Sequence, residues 1–415
     1  MIEVTNRALN ESIEIDRILG KYKGEKEGPV IVFIGGTHGN ETSSIFALNK
    51  VFKYLNRLQP SFSGEVVAAY AGNLKALKKG VRWIDNDMNR IWISERLRKL
   101  GFIDDRNKPE GNEKKQQEEL LEILEPVFES ADGPVFVFDL HTTSSVSPPF
   151  IGVSDTIRNR QLALQYPLPC VVGFDEAMQG TFMNYINERG HSGVALEAGE
   201  HYSLEAIENN ESFIWHTLKI LGSIKEKEIP KYKIHHQRLC KTLTKNRKIF
   251  DLKYTYKIEQ GEKFKMRSGY ATFDEVKKGE VLADNKYGEI SAPVSGRIFM
   301  PLYQTQGEDG FFIVKEISEF KLSLSRFLRR HNLGRFLRYL PGIRKHPEDE
   351  NTILVTPKLN RRFFHDFLHA FGYRRKMLKN GKLMITRRKY DIRMPTEEEK
   401  RSFNNSDDQQ KSSKN

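Results

Sequence analysis

The apolar run VIVFIGG at residues 30–36, closed by two glycines, most constrains how this chain can fold. A continuous aliphatic stretch of this kind is typical of a strand that is buried on both faces of a sheet. In the next segment apolar residues recur at steps of three and four, which predicts an amphipathic helix that begins near residue 43. A buried strand followed directly by such a helix indicates an α/β layer architecture.

The same alternation continues through the first part of the chain. The sequence predicts further strands at 65–73, 135–141, 170–174 and 193–199, and a helix at 112–128. We therefore expect a doubly wound α/β fold with a mostly parallel or mixed sheet and helices on both faces.

The sequence pattern changes near residue 246, where frequent glycines separate short β-type runs. We predict four parts along the chain. They are an α/β domain at 1–245, a small β domain at 246–320, a basic helical or mixed extension at 321–392 and a disordered tail at 393–415.

Composition narrows the class of protein. With 29% charged and 38% hydrophobic residues over 415 positions, the chain resembles a globular protein with an ample core. No apolar run approaches the roughly 18 residues of a spanning helix, so we expect no transmembrane segment. The start of the chain lacks a signal pattern, and its two cysteines lie far apart. We interpret the chain as cytoplasmic; its oligomeric state is left open.

The net charge of +12 is concentrated in one segment. Between Lys321 and Tyr390 there are 19 Lys or Arg and 4 Asp or Glu, so this segment carries +15 and the remainder only −3. Aromatic residues are interleaved with these cations, a mixture found on surfaces that bind anionic lipid or single-stranded nucleic acid. We favour a different interpretation, in which the helices pack on the enzyme or on a partner through Phe and Leu and leave Arg in solvent.

Polar side chains follow several of the predicted strands. His38 and Glu41 come directly after the first strand, and His141 ends the strand at 135–141. In an open α/β sheet, ligands bind beyond the carboxyl ends of the strands. Two imidazoles and one carboxylate, with a fourth position open, form a known catalytic zinc set. The sequence therefore predicts a metal site built from these three residues.

Such a site needs a general base and groups that bind the substrate. Glu197 is the best candidate base, because burial inside an apolar strand raises the pKa of a carboxyl towards the working range. Glu200 is the local alternative. Between the strands lies VRWIDNDMNRIW, whose Arg82, Asn89 and Arg90 indicate a carboxylate clamp and stabilisation of an oxyanion.

Four motifs in this order, GGTHGNE, DMNR, DLHTTSS and LEAGEH, resemble the succinylglutamate desuccinylase/aspartoacylase family, a branch of the zinc carboxypeptidase-like fold. The resemblance covers about residues 28–320. It implies one zinc ion per chain on His38, Glu41 and His141, with Glu197 as base and proton carrier. By the same matching Arg82 would polarise the scissile carbonyl, Asn89 and Arg90 would hold a substrate carboxylate, and Asp87 would orient the arginines.

The resemblance is weaker for the residues that select the substrate. Family members recognise the amino-acid half partly with an arginine before the base strand, and Arg189 takes that place here without a motif around it. Tyr185, His201 and Tyr202 are alternatives of the same kind.

The expected activity is hydrolysis of the amide bond of a small, carboxylate-bearing N-acyl amino acid. One alternative is a zinc carboxypeptidase that acts on peptides. Another is a nucleic-acid- or membrane-binding protein on a hydrolase scaffold, which is less favoured because the ligands and the base are all present.

Overall fold

The structure is a computed structural model that describes residues 1–24, 27–64, 66–102, 110–174, 178, 180–241, 248–356, 362–379, 382–393 and 395–396. The strands within these ranges are β1 (Ile2–Asn6), β2 (Glu11–Ile15), β3 (Ile18–Tyr22), β4 (Val30–Gly35), β5 (Val66–Ala71), β6 (Val135–Thr143), β7 (Phe150–Val153), β8 (Cys170–Val172), β9 (Ser192–Glu200), β10 (Ile249–Lys257), β11 (Lys265–Met266), β12 (Glu275–Val276), β13 (Val281–Asn285), β14 (Gly288–Ser291), β15 (Gly296–Phe299), β16 (Asp309–Glu316), β17 (Ile343–Lys345), β18 (Thr352–Val355), β19 (Arg375–Lys379) and β20 (Lys382–Thr386).

The helices are α1 (Ser43–Leu58), α2 (Leu74–Lys79), α3 (Glu95–Lys99), α4 (Asn112–Glu129), α5 (Ile157–Ala163), α6 (Phe182–Glu188), α7 (Leu204–Ile220), α8 (Tyr232–Cys240), α9 (Glu319–Arg330) and α10 (Arg362–Ala370). Short 3-10 helices lie at Met88–Arg90, Glu226–Glu228 and Leu333–Tyr339. No described helix combines the length and the apolarity that a membrane crossing requires.

Eleven of the described strands form one mixed sheet in the order β12-β15-β16-β10-β8-β7-β9-β6-β4-β5-β3. Its centre is parallel, since β4 pairs in parallel with both β5 and β6, and β6 pairs in parallel with β9. Strand β7 runs antiparallel to β9, which makes the sheet mixed. The predicted α/β architecture with a large mixed sheet is confirmed.

The central strand β4 shows why both faces of the sheet are covered. Its alternate side chains Ile31 and Phe33 belong to one apolar core, together with residues of α1 and α7. Val32 and Ile34 point to the other face and belong to a second core with residues of α4 and α6. Because neighbouring side chains of a strand point to opposite faces, a wholly apolar strand needs a helical layer on each side.

The sheet continues into the residues that the sequence assigned to a small β domain. Strand β10 pairs in parallel with β8 and antiparallel with β16, so this region extends the large sheet. A separate three-stranded sheet, β11-β13-β14, lies in the same part of the chain. The boundary at 245/246 stays a prediction. The sequence did not predict β1, β2 and β3, which are short and carry charged residues between their apolar ones.

Residues 319–393 form a module with a core of its own. A four-stranded antiparallel sheet, β17-β18-β20-β19, packs with α10 around Ile353, Leu368 and Ile385. Helix α10 buries Leu368, and Phe371 directly after the helix is also buried, whereas Phe367 is exposed. Helix α9 does the opposite, because it buries Ser325 and Arg329 while Phe320 and Phe327 stay exposed. On α9 the interpretation that Phe and Leu pack and Arg is solvated is therefore wrong for Phe320, Phe327 and Arg329, whereas Arg326 and Arg330 are exposed as expected. The predicted disordered tail, except for 393 and 395–396, lies outside the described residues.

Candidate active site

The central strands bring the predicted metal ligands to one edge of the sheet. His38 and Glu41 lie in the turn between β4 and α1, and His141 lies near the end of β6. Glu197 on β9 pairs directly with His141 in the β6–β9 register. Since β4, β6 and β9 run parallel, their carboxyl ends meet at the same edge, as an open α/β sheet requires of a ligand site.

Two glycines make the turn after β4 possible. Gly36 has φ +65°, a left-handed conformation that glycine adopts without strain. Gly39 lies against the backbone of α2, where an added Cβ would stand 2.0 Å from the carbonyl carbon of Ala76. The chain therefore passes close to α2 at this point, and the close approach fixes where His38 and Glu41 project.

His38, Glu41 and His141 converge as ligands of a metal ion would. His38 Nδ1 lies 2.8 Å from Glu41 Oε1, and His141 Nδ1 lies 3.0 Å from Glu41 Oε2. The ligand atoms of all three residues lie within 4.8 Å of one another, and all three side chains are buried. Two imidazole nitrogens and a carboxylate are a donor set that suits zinc.

The far nitrogens of both imidazoles face carboxylates. His38 Nε2 is hydrogen-bonded to Asp87 Oδ1 at 3.0 Å, and His141 Nε2 lies 2.8 Å from Asp139 Oδ2. Metal-binding histidines commonly donate their outer N–H to a carboxylate, as His38 does to Asp87, which leaves the electron pair of the other nitrogen for the metal. The His141–Asp139 contact is a short charge contact without hydrogen-bond geometry. With Nε2 protonated, both Nδ1 electron pairs point at the Glu41 carboxylate. A cation between them fits that arrangement.

The partner role of these two aspartates was not predicted. Asp139 lies two residues before His141 on β6, so both side chains are on the same face of the strand, and this spacing is a signal in the sequence. Asp87 is 49 positions away from His38 and comes from the loop that follows α2. Nothing local in the sequence pairs those two residues.

The electrostatics of the cluster favour a positive charge at its centre. Burial would raise the pKa of the Glu41 carboxyl, but His38 and His141 beside it hold that pKa well below its usual range. Burial opposes a charge on His141, yet Asp139 and Glu41 raise the pKa of that imidazole well above its usual value. A divalent cation would compete with the proton for the same Nδ1.

Glu197 is buried next to the cluster and forms no ion pair with any other described residue. Its Oε2 has no hydrogen-bond partner among the described residues. Burial raises the pKa of this carboxyl well above its usual range, and the nearby His141 offsets the rise only in part. Glu200, the alternative base, is exposed at the end of β9.

Arg82, Asn89 and Arg90 line the same cavity as the cluster. The Arg82 guanidinium donates to Glu41 Oε1 at 3.1 Å, while its Nε has no partner among the described atoms. Asn89 accepts a hydrogen bond from the backbone N–H of Phe182, which ties it to the start of α6. Arg90 forms a 2.8 Å ion pair with Asp309, at the start of β16.

A series of polar contacts connects the His38–Glu41–His141 cluster to the loop at 300–308. His201 Nδ1 lies 2.7 Å from the Thr142 hydroxyl, and its Nε2 lies 3.2 Å from Gln304 Oε1. Asn40 donates to the same oxygen of Gln304 at 3.0 Å. His201 was an alternative substrate contact in the sequence, and it does line the cavity. Gln304 was missed, because no motif surrounds it.

The structure does not bring Arg189 to this cavity. Its guanidinium donates to Glu125 at 2.5 Å and to the hydroxyl of Tyr185 at 2.8 Å, on the side of the sheet covered by α4. Arg189 ends α6, whose direction aims the side chain at α4. The prediction that Arg189 contacts the substrate does not fit this position. Tyr185 lies at the same place, hydrogen-bonded to Arg189. Tyr202 is half-exposed, with Arg7 over its ring.

The fold and the cluster together define a mixed α/β protein with a candidate mononuclear metal centre at the carboxyl edge of its sheet. Residues 27–219 match the family model described as the succinylglutamate desuccinylase/aspartoacylase catalytic domain. This segment, a little under half of the chain, is therefore similar to the catalytic domain of the succinylglutamate desuccinylase/aspartoacylase family.

Individual relatives agree with this assignment. An aspartoacylase of Xenopus tropicalis is 33% identical over 115 residues, which are 28% of this chain and 34% of the relative. An N-acyl-aromatic-L-amino acid amidohydrolase (carboxylate-forming) of the same organism is 34% identical over 116 residues, with the same coverage of both chains. These matches span about a third of the length of the curated relatives.

A crystal structure of a succinylglutamate desuccinylase/aspartoacylase from Rhodobacter sphaeroides superposes with a TM-score of 0.52 at 17% identity. It covers 72% of this chain and 88% of its own. At this identity the likeness concerns the fold alone.

Proposed function

We propose that this chain is a zinc-dependent amidohydrolase that cleaves the amide bond of a small N-acyl amino acid. One observation carries the proposal: a buried His38–Glu41–His141 cluster with convergent ligand atoms lies beside Glu197, whose carboxylate oxygen has no partner among the described residues. Ligands and base thus occupy one cavity, and the matched family model is that of a catalytic domain.

The three ligands would hold one zinc ion per chain. Bound there, the ion would supply Lewis acidity that activates a water molecule and polarises the amide carbonyl. Asp87 keeps the His38 imidazole in the tautomer that ligation needs, and the Asp139 carboxylate lies beside His141 Nε2.

Glu197 moves the protons. Its carboxylate takes a proton from the water whose oxygen attacks the amide carbon, and then gives that proton to the departing amine nitrogen as the C–N bond breaks. A carboxyl with a raised pKa suits both steps. The buried position next to His141 in the β6–β9 register keeps this group close to the reacting atoms.

Arg82 and the loop at 88–90 position the substrate. The unpartnered Arg82 Nε points to a role in stabilising the negative charge that develops on the carbonyl oxygen. The Asn89 side chain uses its oxygen to hold α6, which leaves its NH₂ group for a substrate carboxylate. Arg90 would share its guanidinium between that carboxylate and Asp309.

The cavity wall favours a substrate with a single carboxylate and an apolar remainder. Part of the wall consists of apolar side chains: Phe174, Met178, Met300, Pro301, Leu302 and Phe312. Arg90 is already paired with Asp309, Arg82 is assigned to the carbonyl oxygen, and Arg189 lies elsewhere. The described residues that line the cavity therefore offer no further guanidinium for a second carboxylate. The loop at 300–309 borders the cavity and favours small substrates over peptides.

The test is metal analysis of the purified chain followed by a panel of N-acyl amino acids, with and without chelator. We expect stoichiometric zinc and faster hydrolysis of N-acetyl derivatives of apolar amino acids than of N-acetylaspartate. Faster hydrolysis of peptides than of N-acyl amino acids would assign the site to a carboxypeptidase instead.

Two variants examine the proposed roles. Glu197→Gln should retain zinc and lose activity by a factor of roughly 100 or more, as is usual for a general base. Glu200→Gln, three residues along the same strand and exposed, is its matched control and should remain active. His38→Ala should lose the metal, whereas His236→Ala, exposed on α8, should retain it. Normal turnover by Glu197→Gln would refute the assignment of the base.

A further inference from the structure

Helix α9 exposes its apolar side chains. Phe320, Leu324 and Phe327 are 74%, 42% and 55% exposed, although helices normally turn such residues inwards. At 3.6 residues per turn, these three positions lie within an arc of about 60°. They form a continuous apolar stripe along the helix.

The opposite side of α9 explains this orientation. Ser325 and Arg329 lie on the reverse face and are buried. The Arg329 guanidinium forms a 2.8 Å ion pair with Asp155 and donates to the carbonyl oxygen of His369 at 2.8 Å. Because a buried guanidinium needs all these partners, its contacts hold the helix in one rotation about its axis. The apolar stripe is therefore held facing outwards.

The segment after α9 continues the same kind of surface. In the 3-10 helix, Phe336 and Tyr339 are 49% and 69% exposed, and Leu340 follows them with its side chain also exposed. The guanidinium groups of Arg335 and Arg338 lie over these two rings at 4.8 and 4.9 Å. Exposed rings with cations stacked on them are therefore present beside the stripe. We call the exposed side chains of residues 319–345 the basic-aromatic surface.

The charge of the basic-aromatic surface is almost entirely positive. Seven exposed cations face a single exposed acid, Glu319, and within the described residues none of the seven forms an ion pair. They are Lys321, Arg326, Arg330, Arg335, Arg338, Arg344 and Lys345.

We propose that the basic-aromatic surface binds the chain peripherally to an anionic phospholipid bilayer. The outward apolar stripe would enter the boundary between headgroups and acyl chains, while the cations contact the lipid phosphates. A helix with one apolar face and one basic face is suited to lie in the plane of that interface. Aromatic side chains favour the same depth, and cations gain from the negative surface potential.

Two other occupants fit the observations less well. A second copy of this chain, related by a two-fold axis, would place seven cations against seven, and the repulsion would oppose pairing. Single-stranded nucleic acid is held in grooves that follow its backbone. Here the apolar side chains, including the aliphatic Leu324 and Leu340, lie on the outward face of a helix and the segment after it.

The experiment is sedimentation of the full chain with vesicles of phosphatidylcholine alone and of phosphatidylcholine mixed with phosphatidylglycerol. We expect binding to the mixed vesicles only, weakening as salt is raised. Arg335→Gln/Arg338→Gln should reduce partitioning roughly thirtyfold, from the usual contribution of a cation near an anionic surface. Phe320→Ser/Phe327→Ser should reduce it at least tenfold, since two rings no longer enter the interface.

Matched controls keep the result specific to this surface. Lys277→Gln/Lys278→Gln removes two exposed cations elsewhere, and Tyr287→Ser removes a ring that is 75% exposed. Both should bind vesicles as the unchanged chain does, and all variants should keep the same melting temperature. No binding to mixed vesicles, or equal loss in the controls, would overturn the proposal. Tighter binding to a single-stranded oligonucleotide at the same salt, or a dimer abolished by Phe320→Ser/Phe327→Ser, would also overturn it.

Discussion

Asp155 joins the C-terminal module to the α/β domain through a cluster of buried ion pairs. Its carboxylate is fully buried and forms ion pairs with Arg160 at 2.5 Å, with Arg329 at 2.8 Å and with Arg374. Arg160 lies on α5, whereas the other two arginines belong to the module. The substitution Asp155→Asn keeps the size of the side chain and removes only its charge.

The expected loss follows from the charges that remain. Arg329 also contacts Asp391 at 3.4 Å, and Arg374 also contacts Asp251 at 2.7 Å, so these two arginines keep partial compensation. One buried positive charge is left without its counter-charge. Removal of one partner from a buried ion pair costs about 3–5 kcal/mol, and the amide of Asn can still accept hydrogen bonds. We therefore expect a loss of about 3 kcal/mol in the free energy of unfolding.

The effect should depend on pH in a stated direction. The three arginines overcome the effect of burial and hold the pKa of the Asp155 carboxyl well below its usual range. Such a carboxyl stabilises the folded state fully at any pH above about 3.9, which is its pKa in the unfolded chain. This stabilisation is lost as the pH falls through the pKa that the carboxyl has in the folded state. The difference between the two proteins should thus be constant near neutral pH and shrink in acid.

The assay is chemical denaturation at several pH values, combined with hydrogen exchange of peptides from 319–355. Local opening of the module should raise exchange there first. Asp284→Asn is the control, because it removes an exposed carboxylate that pairs with the exposed Arg267, and such surface ion pairs contribute little to stability. A loss from Asp155→Asn no larger than that of the control, or one that persists undiminished in strong acid, would refute the reasoning.

Two further predictions concern the candidate metal site. Asp87→Asn should weaken zinc affinity by about 10–100-fold, because Asp87 orients His38. The affinity is measured by competition with a chelating dye. Asp85→Asn changes an exposed residue two positions away and should leave the zinc affinity unchanged. Equal affinities in the two variants would contradict this role. Gly39→Ala should lower the free energy of unfolding by at least about 1–3 kcal/mol, because the new methyl group meets the rigid backbone of α2. Gly193→Ala should cost less in the same denaturation experiment, because its new methyl group comes closer than ordinary contact only to the flexible side chain of Met183, at 2.8 Å from Sδ.

Local patterns in the sequence were enough to predict the central layers of the fold. The apolar run at 30–36 requires cover on both faces, and β4 does contribute to two cores. The approach of His38, Glu41 and His141 was also predictable, because parallel strands end at one edge of the sheet. The catalytic roles of these residues remain proposals.

The tertiary structure alone decided the contacts that join distant segments. Asp87 reaches His38, and Gln304 reaches Asn40 across 264 positions, by paths that no local spacing reveals. The direction of α6 places the Arg189 guanidinium against Glu125, outside the cavity. Helix α9 shows the physical reason most directly. Its periodicity determined which residues share a face, but a buried ion pair to Asp155 determined which face turns inwards, because that depends on a partner 174 positions away.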